Sequence, residues 1–224
     1  MDRVKIIVAR YNENVEWTKK LKNVLIYNKG AVLDPEYRQM ILPNVGREGH
    51  TYYQYIYDNY YNLEDYTIFL QGNPYDHSTK LDENIDYIYN IINNASINFA
   101  YLSESILYTN FNGCIHLPNS GLQTHIRYVF CKLFGKIIES QKILFGAGAQ
   151  FIVSRERIHS RPRELYLKIV KLLEYDSNPI EGHVIERLHR FIFTNKFDVV
   201  EYVDEPQNNE PQNNITFEKI ELNE

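Results

Sequence analysis

The sequence predicts an α/β protein with a mostly parallel central sheet flanked by helices, and three observations carry that prediction. Short apolar β-type runs alternate with longer segments of helical period. The first β-α-β unit closes within about thirty residues, a length that implies parallel pairing through a right-handed crossover. Two of the apolar runs, Val4-Lys5-Ile6-Ile7-Val8-Ala9 and Thr67-Ile68-Phe69-Leu70, break abruptly into polar and amide-bearing residues, Arg10-Tyr11-Asn12-Glu13 and Gln71-Gly72-Asn73-Pro74-Tyr75. In open α/β sheets ligands bind at the carboxyl ends of the strands, so such breaks mark the edge of a site.

Taken in order, residues 4 to 9 read as a buried parallel strand, apolar on both faces and rich in β-branched residues. Asn14 to Asn23, with Trp17 and Leu21 four apart, reads as a helix, and Val24 to Asn28 as a second strand ending at Lys29-Gly30. His50 to Asn62 places Tyr53, Ile56, Tyr57 and Tyr60 at helical spacing. Asp65 to Leu70 is the third strand, and Leu81 to Asn93 carries Leu81, Ile85, Ile88 and Ile92 on one helical stripe. Phe99 to Ser120 fits no single period. Leu122 to Phe134 is helical, and Phe145 to Ser154 is a small-residue loop feeding a strand. A short helical turn starts at Arg155, a helix runs from Arg163 to Leu173 with Pro162 in its first turn, and a last helix spans Ile180 to Phe193. Phe197 to Val203 has β-type composition without clear alternation.

At 224 residues one main domain can bury its own core. Its expected extent is residues 1–200, followed over 201–224 by a polar flexible tail in which Glu205-Pro206-Gln207-Asn208-Asn209 is repeated at once. Two cysteines, Cys114 and Cys131, offer neither a disulfide framework nor zinc-ligand spacing. A net charge of −5 with dispersed basic residues argues against a nucleic-acid partner, which would need a dense Lys/Arg face. No run approaches the length of a membrane span or a secretory leader, so a cytoplasmic protein is expected. Nineteen tyrosines beside one tryptophan, with abundant Asn, Ile and Lys, are what AT-rich codons favour, as in a large DNA virus whose proteins work in the host cytoplasm.

Four clusters fall on one rim if the strands are parallel. Arg10-Tyr11-Asn12-Glu13 offers a ring to stack on a base and charged groups for base or ribose, or else a strand-to-helix turn capped by Asn12. Asn44-Val45-Gly46-Arg47-Glu48-Gly49 presents N–H groups and a cation to an anion, with Arg47 the diphosphate contact, or else a plain helix start. Gln71-Gly72-Asn73-Pro74-Tyr75-Asp76-His77 holds amides, one carboxylate and one imidazole, enough for a divalent cation at Asp76 and His77 or for a self-satisfied turn. The fourth joins Gly146 to Gln150 with a helix on which His183, Glu186, Arg187 and Arg190 form one polar stripe; such a stripe is ordinarily a solvated face. There Asn178-Pro179-Ile180-Glu181 fits a capping box, and Glu186 is either functional or paired with Arg190.

Four ordered motifs carry a family resemblance: Ile7 to Glu13, Leu42 to Tyr52, Phe69 to Pro74, and Gly148 to Ile158. Over about residues 4 to 195 the chain resembles the domain-of-unknown-function 3431 family, which is similar to A-type glycosyltransferases. The resemblance implies a single-domain nucleotide-diphospho-sugar transferase-like fold and transfer of a sugar from a nucleotide-diphosphate sugar to a hydroxyl of a glycan or glycoprotein. It implies nucleotide-sugar contacts at Arg10, Tyr11, Asn12, Glu13, Arg47, Gln71 and Asn73. The acceptor side falls at Gly148 and Gln150, and Glu186 is the base, with Glu181 and Asp76 behind it. Mn²⁺ or Mg²⁺ is implied as cofactor, but the family's Asp-x-Asp place reads Gln71-Gly72-Asn73, which shifts any metal to Asp76 and His77 or leaves Arg47 to neutralise the diphosphate. A nucleotide or glycan binder without turnover is the alternative.

Overall fold

A computed structural model describes residues 3–111, 122–135, 142–196 and 221–222. The strands are β1 (Val4–Arg10), β2 (Val24–Asn28), β3 (Gln39–Ile41), β4 (Tyr66–Gln71), β5 (Ala95–Ser96), β6 (Phe99–Tyr101), β7 (Ile106–Asn110), β8 (Lys142–Gly146), β9 (Phe151–Ser154) and β10 (Glu221–Leu222). The α-helices are α1 (Arg47–Asn59), α2 (Leu81–Ile91), α3 (Leu122–Phe134), α4 (Arg155–His159), α5 (Arg163–Leu173) and α6 (Ile180–Thr194).

Six strands make the central sheet in the order β3-β2-β1-β4-β9-β6. β3, β2, β1 and β4 are mutually parallel, while β9 runs antiparallel to both β4 and β6. The mostly parallel α/β sheet expected from the sequence is therefore present, with one reversed strand inside it. The register sets Arg10 opposite Asn28 and Ala9 opposite Gln71, so the three polar strand ends finish level.

Both faces are covered, which is why the strands are apolar throughout. The two-residue repeat of β1 sends Ile7 to one core, where it joins Tyr52, Phe69, Phe151, Ile185 and Phe193 under α1, α5 and α6. It sends Ile6 and Val8 to the other core, with Ile68, Leu70, Leu81, Ile85 and Ile88 under α2. Several tyrosines build the first of these: Tyr27, Tyr52, Tyr53 and Tyr166 are all fully buried there.

Several elements depart from expectation for local reasons. Asn14 to Asn23 is no α-helix but a 3-10 turn over Glu16–Lys20, closed where both the N–H and the hydroxyl of Thr18 bond to the Val15 carbonyl. Helix α1 starts at Arg47, three residues early, because Gly46 takes a left-handed conformation as its N-cap, and it stops at Asn59, whose amide turns back to the Tyr55 carbonyl. Pro162 and Pro179 are N-cap residues of α5 and α6 rather than first-turn prolines, and no side chain caps either helix, so the capping box does not form. The unassigned stretch after Phe99 holds β6 and β7, and Phe145 closes a strand, β8, paired antiparallel with β7. The Phe197–Val203 reading and Cys114 lie outside the described residues. So does the duplicated tail, except that Glu221–Leu222 pairs with Ala95–Ser96. Cys131 is exposed and free of any disulfide.

Candidate functional site

From β1 the chain moves outward to β2 and β3 on one side, then returns to place β4 on the other. The carboxyl ends of β1 and β4 thus diverge at a topological switch point, and a crevice must open there. A cleft of about 440 Å³ occupies it. Arg10, Arg47 and Gln71, drawn from three distant loops, all line it, as do Tyr11, Glu13, Asn73 and Asp76. Lys29 and Glu48 line it too.

On the β1 side the backbone is tightly specified. Arg10 is buried, and its guanidinium donates to the Glu13, Tyr11 and Ala31 carbonyls and to Asn28 Oδ1 at 2.7 to 3.1 Å. It therefore splints the two strand-end turns as well as walling the cleft. Asn12 caps no helix; its Oδ1 accepts from the Ala31 N–H at 3.0 Å. A Cβ at Gly30 would stand 1.6 Å from the Tyr11 carbonyl oxygen, so only glycine fits between these turns. Tyr11 leaves its ring 49% exposed at the lip, free to stack. Glu13 accepts from the Tyr11 N–H at 2.7 Å and presses on Gly72, whose carbonyl receives the Trp17 indole N–H at 3.0 Å.

The second wall is the start of α1. Gly46 (φ +64°) and Arg47 (φ +51°) are both left-handed. Their N–H groups are not offered to an anion as the sequence suggested, because they donate to the Asp176 and Ser177 carbonyls at 2.7 and 3.2 Å. What reaches the cleft is the Arg47 side chain, held by Asn178 Oδ1 at 3.2 Å and His183 Nε2 at 3.0 Å, with Glu48 3.6 Å away. Burial, then Arg47 and Arg187, keep the His183 imidazole below its usual range and hence in the neutral form that accepts from Arg47. Beneath this turn the Lys29 ammonium donates to the Val45 carbonyl at 2.6 Å and to that of Arg47. Burial pulls its pKa down to about 8, against a partial counterweight from Glu48.

Behind the cleft, outside its lining, two loops are joined to α6. The Gln150 side chain is wholly buried and stitches one loop to the other through the Pro74 carbonyl at 2.9 Å. Gly148 (φ +83°) lies flat against the His77 ring and donates its N–H to Glu186 Oε1 at 2.9 Å. The α6 stripe is no solvated face, since Arg187 and Arg190 are both buried. The cation beside Glu186 is Arg187, at 3.5 Å. Burial above all, and then Glu48, pushes the Glu186 carboxyl up from the ordinary carboxylate range. Glu181 instead accepts from the Tyr175 hydroxyl, and Tyr175 is exposed.

The family model described as a protein of unknown function (DUF3431) matches residues 6–211. The chain belongs to that family. No curated protein matches it. The DUF3431 match takes in every wall of the cleft and α6 behind it. Lys29 and Glu48 were the residues least visible beforehand: a lysine after a strand and a glutamate in a first helical turn are ordinary surface features, and only the fold turns them inward. Among the described residues no three His, Cys, Asp or Glu side chains gather as metal ligands. Asp76 lines the cleft while His77, which packs on Gly148, is not among its lining residues, and no chemical step is assigned to a cation there. Among the described residues no helix is long and apolar enough to cross a membrane. What the DUF3431 cleft offers is a cavity lined by the cations Arg10, Lys29 and Arg47 and by the amides of Asn44, Gln71 and Asn73, with the Glu186 carboxylate sequestered outside that lining.

Proposed function

We propose that the protein is a glycosyltransferase that takes a nucleotide-diphosphate sugar in the switch-point cleft and passes the hexosyl or pentosyl group, with inversion, to a hydroxyl of a glycan or glycoprotein. The observation that carries the reading is Glu186, a carboxylate of raised proton affinity fixed by the Gly148 N–H beside a cleft lined by Arg47 and amides. In this reading Tyr11 stacks on the base, Asn12 and Glu13 shape the ribose wall, and Gln71 and Asn73 meet the sugar and diphosphate. Glu186 takes the acceptor hydroxyl proton; the acceptor oxygen forms its bond to the anomeric carbon as the bond to the diphosphate breaks, and that electron pair leaves with the diphosphate. A base is most effective when its pKa lies near the working pH. Arg47, pre-set by Asn178 and His183, stabilises the charge on the departing diphosphate. The A-type transferase likeness belongs to this proposal, as does Mn²⁺ or Mg²⁺ accompanying the donor.

The test is a panel of nucleotide sugars with and without Mn²⁺, read for transfer and for slow donor hydrolysis. Turnover lost in Glu186→Gln supports the proposal, and silence across all donors refutes it. One observation favours a second reading, binding without turnover: the cleft lining reaches Glu48 but not Glu186. That reading expects a ligand to stabilise the protein by about 2.7 kcal/mol at a hundredfold excess over Kd, with no change in Glu186→Gln.

A further inference from the structure

Resting on the diphosphate part of that reading, we infer that Lys29 is a direct diphosphate contact, giving a phosphoryl oxygen the one N–H that its two internal carbonyl partners leave over. An ammonium has three donors. Among the described residues Val45 and Arg47 take two of them, and Lys29 stands in the wall of the cleft, where a bound diphosphate would meet the third. The Lys29 N–H is bonded to the Arg10 carbonyl at 2.8 Å and the next residue is the sterically locked Gly30, so the ammonium is aimed by a rigid backbone.

A purely structural task does not require a cation here. Asn28, the preceding residue, ties the Ala31 carbonyl and Gln39 together with a neutral amide. Burying a charge costs free energy unless something compensates it, and two carbonyls compensate it only in part. A bound diphosphate would supply the missing charge. It would bridge Lys29 at the end of β2 to Arg47 on α1, both in the same cavity wall.

The charged and titratable groups facing Lys29 are Arg10 of β1 and Arg47, Glu48 and His50 of α1, with Tyr11, Glu13 and Asp76 elsewhere in the cleft. Arginine stays charged throughout and burial keeps His50 neutral, so lysine is the cation lost between pH 7 and pH 9.5. Pyrophosphate itself gains negative charge over the same interval, so a loss of affinity on going alkaline is not the ligand's doing.

Calorimetric titration of the full chain with inorganic pyrophosphate, and separately with UDP and GDP, tests the inference. Pyrophosphate affinity is expected to fall at least tenfold from pH 7 to pH 9.5, and Lys29→Met to bind at least tenfold more weakly at pH 7 without that fall. A wild-type experiment guards against a misfolded variant: acetylation at pH 8 followed by peptide mass spectrometry, in which saturating pyrophosphate protects Lys29 but not Lys168. Equal affinity in Lys29→Met, an unprotected Lys29, or no pyrophosphate binding at all overturns the inference. Binding through Lys29 without turnover of any nucleotide sugar leaves it standing and removes the transferase reading. Nucleoside diphosphates binding where pyrophosphate does not would put the recognition in the base and ribose and also overturn it.

Discussion

Replacing His189 by Phe should flatten the acid limb of the protein's stability curve. His189 is wholly buried, 4.7 Å from the Phe151 ring and 5.7 Å from that of Tyr53. Its Nδ1 meets the Tyr53 hydroxyl at 2.7 Å, and its Nε2 has no hydrogen-bond partner among the described residues. Burial holds its pKa at about 3 in place of the ordinary 6.5. Above pH 6.5 the ring is neutral folded or unfolded; below it the unfolded chain takes up a proton that the folded protein refuses, so stability is lost as pH falls towards 3. At pH 5, 1.5 units below the unfolded value, the loss is about 2 kcal/mol at 1.36 kcal/mol per unit. His50, held by burial at about 4, adds about the same by pH 5. Glu186 acts in the opposite sense: its raised pKa gives stability that fades as pH rises through its folded pKa, and this contribution is shared by both proteins. His50, His183 and Glu186 act alike in both proteins, so urea unfolding at pH 8, 7, 6 and 5 should show the wild type losing about 2 kcal/mol more than His189→Phe by pH 5. Parallel profiles for the two proteins would refute the buried neutral imidazole.

Gly30→Ala forces a Cβ against the Tyr11 carbonyl, so it should cost about 1–3 kcal/mol or more in unfolding measurements and weaken ligand binding in the cleft. Phe151→Ala, at a fully buried ring contacting Tyr52, Phe69 and His189, should cost about 3–5 kcal/mol in the same assay. Glu186→Gln should lower transferase kcat at least about a hundredfold, the scale of general base catalysis, while the amide oxygen can still accept from the Gly148 N–H and hold the fold at the assay temperature. Activity falling together with melting temperature would make Glu186 a structural residue.

What could be read from the chain follows from how strongly each segment states its period. β2, α3 and α5 fall on their expected residues because one apolar repeat dominates each of them, whether a helical stripe or a two-sided β run. β3 is a three-residue edge strand whose Met40 and Ile41 are exposed, so it has no buried pattern to detect. The Trp17 segment carried a helix-like spacing, yet its indole is claimed by the Gly72 carbonyl across the cleft, a tertiary bond that no local window contains. For the site, parallel strands sufficed to bring Arg10, Arg47 and Gln71 to one rim. What the spacing could not reveal is which way charges face: Arg10 turns largely to backbone, Gln150 inward to Pro74, and Lys29, in an unremarked place, to the cavity.

The reversal of β9 within an otherwise parallel array has a consequence for how the protein can diversify. A strand running against its neighbours delivers its leading loop, not its trailing one, to the cleft end of the sheet, and that loop carries Gly148 to Glu186. The two banks of the crevice thereby arise differently: one is built from strand exits whose register is interlocked, the other from the loop joining β8 to β9, strands of separate sheets, which Gln150 ties to the opposite bank through the Pro74 carbonyl. Within this loop Gly148, left-handed and pressed on the His77 ring, and Ala149, left-handed and buried, admit little change, so variation that alters partner choice should arise first at the half-buried Ala147.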